Sequence, residues 1–418
     1  MNAPDSFFPL KNGQRHAESV PLDEIARRFG TPCYVYSRKA LETALDEFQT
    51  ALADADALVC YAVKANSNLA VLDALARRGA GFDIVSGGEL KRVLAAGSDP
   101  RKIVFSGVGK SADDMALALS AGILCFNVES ASELERLEDV AATLGVRAPV
   151  GLRVNPDVDA RTHPYISTGL KKNKFGVAYA DAREVYRRAA RLPHIDVCGI
   201  GCHIGSQLLD PLPFSEALDR LLLLADQLAD DGIVLRHIDP GGGLGIRYRD
   251  EDAPAVGDYL APLLQKLRGR ALKILLEPGR RLIGNAGALL TRVEYLKPGE
   301  EKNFAIVDAA MNDLARPALY GAWHDIVPDR PHEASSRCWE IVGPVCESGD
   351  FLGHERTLAL APGDLLAILS VGAYGMVMSS NYNSRPRVAE VMIDGEQMHL
   401  VRRRETVEEL YALESLLP

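Results

Sequence analysis

The sequence has no long apolar run and almost no clustered positive charge. No stretch reaches the roughly 20 apolar residues that a membrane-spanning helix needs, and the run Leu221–Leu224 is flanked by charged residues. The start of the chain lacks the basic-then-apolar pattern of a secretory signal. The one tight basic run is Arg402–Arg404, and the formal net charge is −10. These absences argue against a membrane or a nucleic acid as partner and favour a cytoplasmic protein.

Cysteine is scarce, and its spacing argues against a zinc site. The chain has seven cysteines, an odd number, and no Cys-x-x-Cys pair. Most of them lie in apolar, strand-like runs, namely Cys33, Cys60, Cys125, Cys198 and Cys202. Free buried thiols in a reducing compartment fit this use better than a disulfide framework. We therefore expect no metal centre.

Strand and helix patterns alternate between about residue 58 and residue 280, in a chain of 418 residues that is long enough for two domains. The predicted strands are Leu58–Val63, Gly81–Val85, Lys102–Phe105, Ile123–Val128, Val150–Val154, Val197–His203, Val234–Ile238 and Leu272–Leu276. The predicted helices are Ala70–Arg78, Glu89–Ala96, Ala112–Ser120, Ser132–Leu144, Ala182–Arg191, Ser215–Ala229 and Tyr259–Arg268. Two of these helices are preceded by Ser-x-x-Glu, the form of a capping box, at Ser86–Glu89 and Ser130–Glu133.

This alternation predicts a (β/α)8 TIM barrel, with a doubly wound open sheet as the alternative. The barrel is favoured because unusual polar residues gather just after the strands. They are Lys64, Ser86, Ser106, Glu129, Asn155, His203, Asp239 and Glu277. In a barrel the carboxyl ends of all strands meet at one mouth, and enzymes with this fold carry out their chemistry there.

The character of the sequence changes after about residue 281. Strand-like runs follow one another without long helices, at Ala288–Leu296, Phe304–Val307, Cys338–Val342, Leu365–Leu369, Val388–Ile393 and His399–Val401, and a short helix is predicted at Val407–Leu416. This pattern predicts a β-sandwich or β-barrel. The predicted organisation is an N-terminal segment, 1–36, whose run Pro32–Tyr36 pairs with the β domain, then the barrel, 37–280, and a C-terminal β domain, 281–418.

Lys64 is the most informative single residue. It lies near the end of the apolar run that forms the first predicted strand. An ammonium at the tip of a buried strand costs free energy unless it has a partner or loses its charge. One chemistry that suits such a lysine is an imine with a carbonyl compound. A lysine at a strand end more often just reaches into solvent, so the assignment depends on its neighbours.

Three loops at the predicted mouth add to this signal. Asp239–Gly243 contains three consecutive glycines, whose unobstructed N–H groups suit a phosphate, and Glu277–Arg280 follows the eighth strand. Barrels often bind phosphate after strands seven and eight. After the sixth strand, His203 is placed to stack on a flat ring and Ser206 to donate to a phosphate. Lysine, phosphate loop, imidazole and carboxylate together suggest pyridoxal phosphate, with Glu277 keeping the pyridine nitrogen protonated.

Long segments of the chain resemble the diaminopimelate decarboxylases, in the alanine racemase-like, fold type III group of pyridoxal enzymes. The matching segments include YAVKAN (61–66), FDIVSGGEL (82–90), FSGVGKS (105–111), GLRVNPDVDA (151–160), THPYISTGLKKNKFG (162–176), GCHIGSQL (201–208), DPGGGLGI (239–246), EPGR (277–280), DAAMNDLARPALYGAWH (308–324), GPVCESGDFLG (343–353) and GAYGMVMSSNYNSRPR (372–387). The resemblance runs nearly from end to end. It implies decarboxylation of meso-2,6-diaminopimelate to L-lysine and carbon dioxide, the last step of lysine biosynthesis.

The resemblance also implies roles for single residues. Lys64 corresponds to the Schiff-base lysine, His203 to the residue stacked on the cofactor ring, and Glu277 to the partner of the pyridine nitrogen. The implied phosphate ligands are Ser206, Gly241, Gly242, Gly243, Gly279, Arg280 and Tyr374. The implied substrate ligands are Arg280, Arg316, Tyr320, Glu347 and Tyr374, and Cys346 corresponds to a proton donor that reaches the neighbouring subunit's site. A homodimer with shared active sites follows from the resemblance.

One departure and several alternatives remain open at this level. Arg281 stands where many relatives have a small residue, and its side chain either alters the site or points away. A decarboxylase of ornithine or arginine would not need Arg316 and Tyr320, since its substrate has no distal carboxylate. An amino-acid racemase, a non-catalytic partner protein with the same fold, and a Schiff-base aldolase without cofactor are further alternatives.

Overall fold

Residues 6–159, 174–332 and 335–418 are described by the computed structural model, which divides into two units. The barrel unit comprises Thr43–Ile246 and Asp252–Leu282. The β unit comprises the chain up to Glu42, the short stretch Arg247–Glu251 and the chain from Ile283 onward.

Eight parallel strands form a closed ring in the barrel unit. In chain order they are Ala57–Ala62, Gly81–Ile84, Ile103–Phe105, Cys125–Val128, Ala148–Asn155, Ile195–Gly201, His237–Asp239 and Lys273–Leu276. Each strand pairs with the next one, and the eighth pairs with the first. An open sheet would have two edges, so the predicted barrel is confirmed and the open-sheet alternative is wrong.

The helices of the barrel unit follow the predicted alternation. They are Leu69–Arg77, Gly87–Ala95, Ala112–Ala121, Ala131–Leu144, Tyr179–Ala189, Leu212–Asp230 and Val256–Leu267. Ser86 and Ser130 cap two of them by accepting hydrogen bonds from the N–H groups of Glu89 and Glu133. The glutamates in turn accept from Val85 and Glu129, one residue before the position that a capping box would use. Helices Arg38–Ala51 and Arg280–Ile283 were not predicted.

Side chains inside the barrel lie in an apolar layer beneath a polar one. Cys60, Val104, Cys125, Cys198 and Leu275 form one buried cluster. Residues two positions along a strand point to the same side, so Ser106, Asn127 and Glu277 continue the same inward faces one layer higher. The strand pattern therefore places polar groups at the carboxyl ends of the strands.

Two cysteines of the apolar layer and a neighbouring histidine form a group of possible metal ligands, which no spacing in the sequence indicated. Ligand atoms of Cys125, Cys198 and His237 lie within 4.8 Å of one another. The two sulfurs are 3.7 Å apart, and the Cys198 thiol also lies 3.4 Å from the Val150 carbonyl oxygen. Ordinary thiol hydrogen bonds account for the two cysteines.

The β unit contains a nine-stranded sheet. Its strands are Cys33–Ser37, Gly287–Lys297, Phe304–Val307, Ile326–Pro328, Arg337–Val342, Phe351–Leu358, Leu365–Leu369, Ala389–Asp394 and Gln397–Arg402. Cys33–Ser37 pairs antiparallel with Gly287–Lys297 and parallel with Ala389–Asp394, and all five of its residues are buried. Ile326–Pro328 and Phe351–Leu358 were not predicted, the latter because Gly353 and three charged or histidine residues interrupt its apolar pattern.

Short elements complete the β unit. They are a three-stranded sheet, Leu10–Lys11, Gln14–Ala17 and Val20–Pro21, and the helices Leu22–Phe29, Arg316–Tyr320 and Val407–Tyr411. The first of these helices packs its buried face into the apolar core of the sheet. Within the described part of the chain, every helix is too short or too polar to cross a membrane.

Candidate active site

Lys64 forms an ion pair with a buried carboxylate at the barrel mouth. It follows the first strand in a single 3-10 turn, and its Nζ donates to Asp83 Oδ2 at 2.8 Å. The Lys64 side chain is 37% exposed, whereas Asp83 is fully buried. Asp83 Oδ1 is buried and has no hydrogen-bond partner among the described residues. The aspartate therefore holds the amine at the mouth. Sequence reasoning missed it, although a carboxylate inside the apolar run Gly81–Ile84 was a usable signal.

Two further carboxylates share one amide donor in the polar layer. Asn127 Nδ2 lies 3.3 Å from Asp239 Oδ2 and 3.2 Å from Glu277 Oε1, and the Ser106 hydroxyl lies 3.4 Å from the same Glu277 oxygen. Burial raises the pKa of Glu277 well above its usual value, and the charges of Asp239 and Asp83 raise it further. Burial also raises the pKa of Asp239 to about 6. Two adjacent buried carboxylates favour a shared proton or a cationic neighbour.

His203 follows the sixth strand and has a neutral ring. Burial holds the pKa of its imidazole well below the usual value, with smaller contributions from the cations Arg153 and Lys64. The Gly242 N–H lies 3.4 Å from His203 Nδ1, so Nδ1 is the acceptor. A neutral imidazole with an apolar face suits stacking on an aromatic ring.

The glycine loop lies against the loops after the sixth and eighth strands. A Cβ at Gly242 would come 2.0 Å from the Glu277 carbonyl oxygen, and one at Gly243 would come 2.3 Å from the Gly205 carbonyl oxygen. Only glycine permits this approach. Beside this loop, Arg280 Nε and Nη2 lie 3.3 and 3.1 Å from Ser206 Oγ. A hydroxyl next to a glycine loop provides a donor for a phosphate, and the buried guanidinium beside it can bind a further anionic group.

Arg316 and Tyr320 meet in the β unit. Arg316 begins the helix Arg316–Tyr320 and is buried, and its guanidinium carbon lies 5.9 Å from the Tyr320 ring centroid and 5.4 Å from that of Tyr248. These are cation–π distances. Tyr248, from the stretch Arg247–Glu251, was not identified from the sequence.

Three more predicted site residues belong to the β unit. Tyr374 is half-buried and has a φ of 57°, a left-handed conformation that costs free energy for a tyrosine and often marks functional sites. Cys346 and Glu347 are exposed. Their loop is organised by the buried Asp350, which accepts from the Met311 and Val345 N–H groups at 2.7 and 2.8 Å.

The structure also shows where Arg281 points. Its Nη2 lies 3.1 Å from Glu47 Oε2 on the helix Arg38–Ala51, and its side chain is 8% exposed. The guanidinium is thus engaged with that helix. The matching segment 162–176 lies outside the described residues up to position 173.

Comparison with known proteins gives consistent relatives. The family described as pyridoxal-dependent decarboxylase, pyridoxal binding domain, matches residues 38–284. The diaminopimelate decarboxylase of Pseudomonas aeruginosa is 64% identical over 98% of this chain and 99% of its own length.

Solved structures agree with the sequence relatives. Diaminopimelate decarboxylase from Helicobacter pylori complexed with L-lysine has a TM-score of 0.91 at 44% identity and covers 94% of this chain and 99% of that one. The enzyme from M. jannaschii in complex with L-lysine has a TM-score of 0.94 at 37% identity, over 99% of each chain.

Proposed function

The chain belongs to the diaminopimelate decarboxylase family, and from this membership we propose how its residues carry out the reaction. The reaction is the pyridoxal-dependent decarboxylation of meso-2,6-diaminopimelate to L-lysine and carbon dioxide, the last step of lysine biosynthesis. The observation that carries the residue assignment is the buried Asp83 that holds the Lys64 amine at 2.8 Å, beside the carboxylates of the barrel mouth.

The barrel mouth has the groups that pyridoxal 5′-phosphate requires. The close approach at Gly242 and Gly243 and the donor of Ser206 suit its phosphate, with Gly241, the backbone of Gly279 and Arg280, and Tyr374 as further ligands. Lys64 is the amine for its aldehyde. When bound, the cofactor supplies a ring that accepts the electron pair released as the carboxylate leaves.

Two residues are assigned to the ring of the cofactor. Glu277 is assigned to its nitrogen: a carboxylate whose pKa burial has raised gains a cationic partner there and can remain charged. His203 is assigned to its face, because the neutral imidazole brings no second positive charge. Glu277 thus stabilises the protonated ring, and His203 stacks on that ring without opposing its charge.

The substrate ligands are assigned by the groups that they recognise. Arg280, Arg316, Tyr320 and Tyr374 are proposed to bind the distal carboxylate, since guanidinium groups match its planar geometry. Glu347 is proposed for the distal ammonium. The fit of Arg316 is supported by its aromatic neighbours Tyr248 and Tyr320, whose rings lie at cation–π distances from the guanidinium.

We propose that the enzyme is a homodimer with shared sites. Cys346 is assigned as the proton donor to a neighbouring subunit's site, with Lys64 as the alternative donor. The exposure of Cys346 and Glu347 in the single chain is what a residue that serves a partner's site requires. A cytoplasmic location is supported by the five buried free cysteines. We place the functional domains at 1–36, 37–280 and 281–418.

The direct test is the visible spectrum of the purified holoenzyme before and after addition of meso-diaminopimelate, with released carbon dioxide and lysine followed in parallel. We expect an imine absorption band that changes with substrate while both products form. A band that does not respond would point to another amino acid as substrate. The absence of a band after addition of pyridoxal phosphate would refute the assignment of Lys64.

A further inference from the structure

His324 is fully buried in the β unit and is held in one tautomer. Its Nδ1 lies 3.0 Å from the Leu369 carbonyl oxygen. A carbonyl can only accept, so Nδ1 carries the hydrogen and Nε2 is left as an acceptor. The backbone is held as well, because Arg356 Nη2 donates to the His324 carbonyl at 2.9 Å and Leu369 N–H donates to the Asp325 carbonyl at 2.8 Å.

The acceptor of this ring faces Arg316. Arg316 Nε donates to His324 Nε2 in a long hydrogen bond of 3.4 Å. Tyr248 packs edge-on against the same imidazole, with ring centroids 5.2 Å apart and planes at 89°. Since Tyr248 also lies against the guanidinium, the arginine is contacted by a histidine and a tyrosine that contact each other.

This arrangement determines which edge of the guanidinium can bind a ligand. A guanidinium binds a carboxylate through two parallel N–H groups, either Nε with one Nη or the two Nη atoms. The bond to His324 engages Nε, so a carboxylate that binds through two parallel hydrogen bonds would use the Nη1–Nη2 edge. Rotating the group would break the hydrogen bond to His324.

We propose that His324, packed against Tyr248, is a positioning residue that sets specificity for a substrate with a distal carboxylate by holding Arg316 in this orientation. The proposal deepens the proposed function and rests on it in one respect, the assignment of Arg316 to that carboxylate. It predicts a selective loss of carboxylate recognition when the acceptor is removed.

Two substitutions separate positioning from general stability. In His324→Asn the amide N–H can replace Nδ1–H toward Leu369, but the acceptor for Arg316 is lost. In His324→Gln the amide oxygen reaches the position of Nε2, but the donor to Leu369 is lost. A positioning role predicts that Asn impairs recognition more than Gln, whatever their order of thermal stability.

The experiment compares two inhibitors of the holoenzyme, L-lysine and 1,5-diaminopentane, which differ only by the carboxylate. We expect His324→Asn to weaken the binding of L-lysine about tenfold, which is the effect of one hydrogen bond to a charged group. The binding of 1,5-diaminopentane should be unchanged. KM for diaminopimelate should rise by a similar factor with little change in kcat. The matched control is His354→Asn, at an exposed histidine of the same unit. It should change the affinity for neither inhibitor.

The outcomes distinguish this inference from the proposed function. The positioning role would be overturned if His324→Asn weakened the binding of both inhibitors equally, or of neither. Arg316→Met should weaken the binding of L-lysine selectively, and by a larger factor than His324→Asn does. If it does so while His324→Asn has no effect, the function of Arg316 stands and the inference fails. If Arg316→Met leaves the ratio of the two inhibitors unchanged, both fail.

Discussion

The barrel mouth and the surroundings of Arg316 differ in the kind of neighbour that holds each charged side chain. At the mouth, Lys64 is paired with the buried Asp83, and burial raises the pKa of both Asp239 and Glu277. Around Arg316, a neutral ring and aromatic faces orient the cation. The first arrangement tunes protonation, which suits chemistry, and the second orients the guanidinium through a ring nitrogen and aromatic faces, which suits recognition. Substitutions in the two regions should therefore fail in different ways.

The largest effect is expected from Lys64→Ala. Without the amine we expect a fall in kcat on the order of 10³-fold or more, as for loss of a nucleophile, together with loss of the imine absorption band. Carbon dioxide release and the visible spectrum measure both. Lys91→Ala, on an exposed position of the helix Gly87–Ala95, is the control and should leave both unchanged. Activity within about tenfold of the wild type would show that the mouth does not depend on this amine.

The second prediction tests whether Cys346 serves the site of a neighbouring subunit. Cys346→Ala should keep the absorption band but lose on the order of 10²-fold in kcat, as for loss of a general acid. Co-expression with Lys64→Ala in equal amounts should then restore about a quarter of wild-type activity, because half of the dimers are mixed and each has one intact site. Carbon dioxide release by the unseparated mixture is the measurement, and the separated mixed dimer should show about half of wild-type activity. No recovery would mean that Cys346 does not serve the neighbouring site.

The same contrast explains how much the sequence could reveal. The barrel and its mouth were predictable, because period-two strands, caps and strand-end polar residues are local patterns. Asp83 was hidden since it looks like part of a strand, and its role depends on Lys64, 19 residues away. His324 and Tyr248 had no signal, because their contacts with Arg316 join distant parts of the chain and require the fold. Arg316, Glu347 and Cys346 came only from resemblance.

A smaller effect tests the protonation of the mouth. Because the folded pKa of Asp239 is raised from 3.8 to about 6, its contribution to stability is present at low pH and is lost as pH rises through that window. Asp239→Asn cannot ionise. The stability of the variant relative to wild-type apoprotein should therefore improve between pH 5 and pH 8, by on the order of 1 kcal/mol.

Urea unfolding of both apoproteins at the two pH values measures this change. Asp231→Asn is the control. Hydrogen bonds from Arg183 and Arg187 lower the pKa of Asp231, so this carboxylate stays charged across the range. The difference in free energy of unfolding between this variant and the wild type should therefore be the same at both pH values. The buried-carboxylate account would be contradicted if the free energy of unfolding of Asp239→Asn, relative to wild type, stayed constant or fell between pH 5 and pH 8.

The smallest effect is expected from a substitution of Arg281. This residue directly follows the segment Glu277–Arg280 in the sequence, but its guanidinium contacts Glu47. Its ion pair with Glu47 is largely shielded from solvent, so Arg281→Ala should lower the free energy of unfolding by about 0.5–1 kcal/mol. Adding Glu47→Gln should cost little more, since the two changes remove the same interaction. KM and cofactor affinity should be unchanged, because the guanidinium reaches the helix Arg38–Ala51 instead of Arg280 or Ser206. A rise in KM of more than about threefold would place this side chain in the site after all.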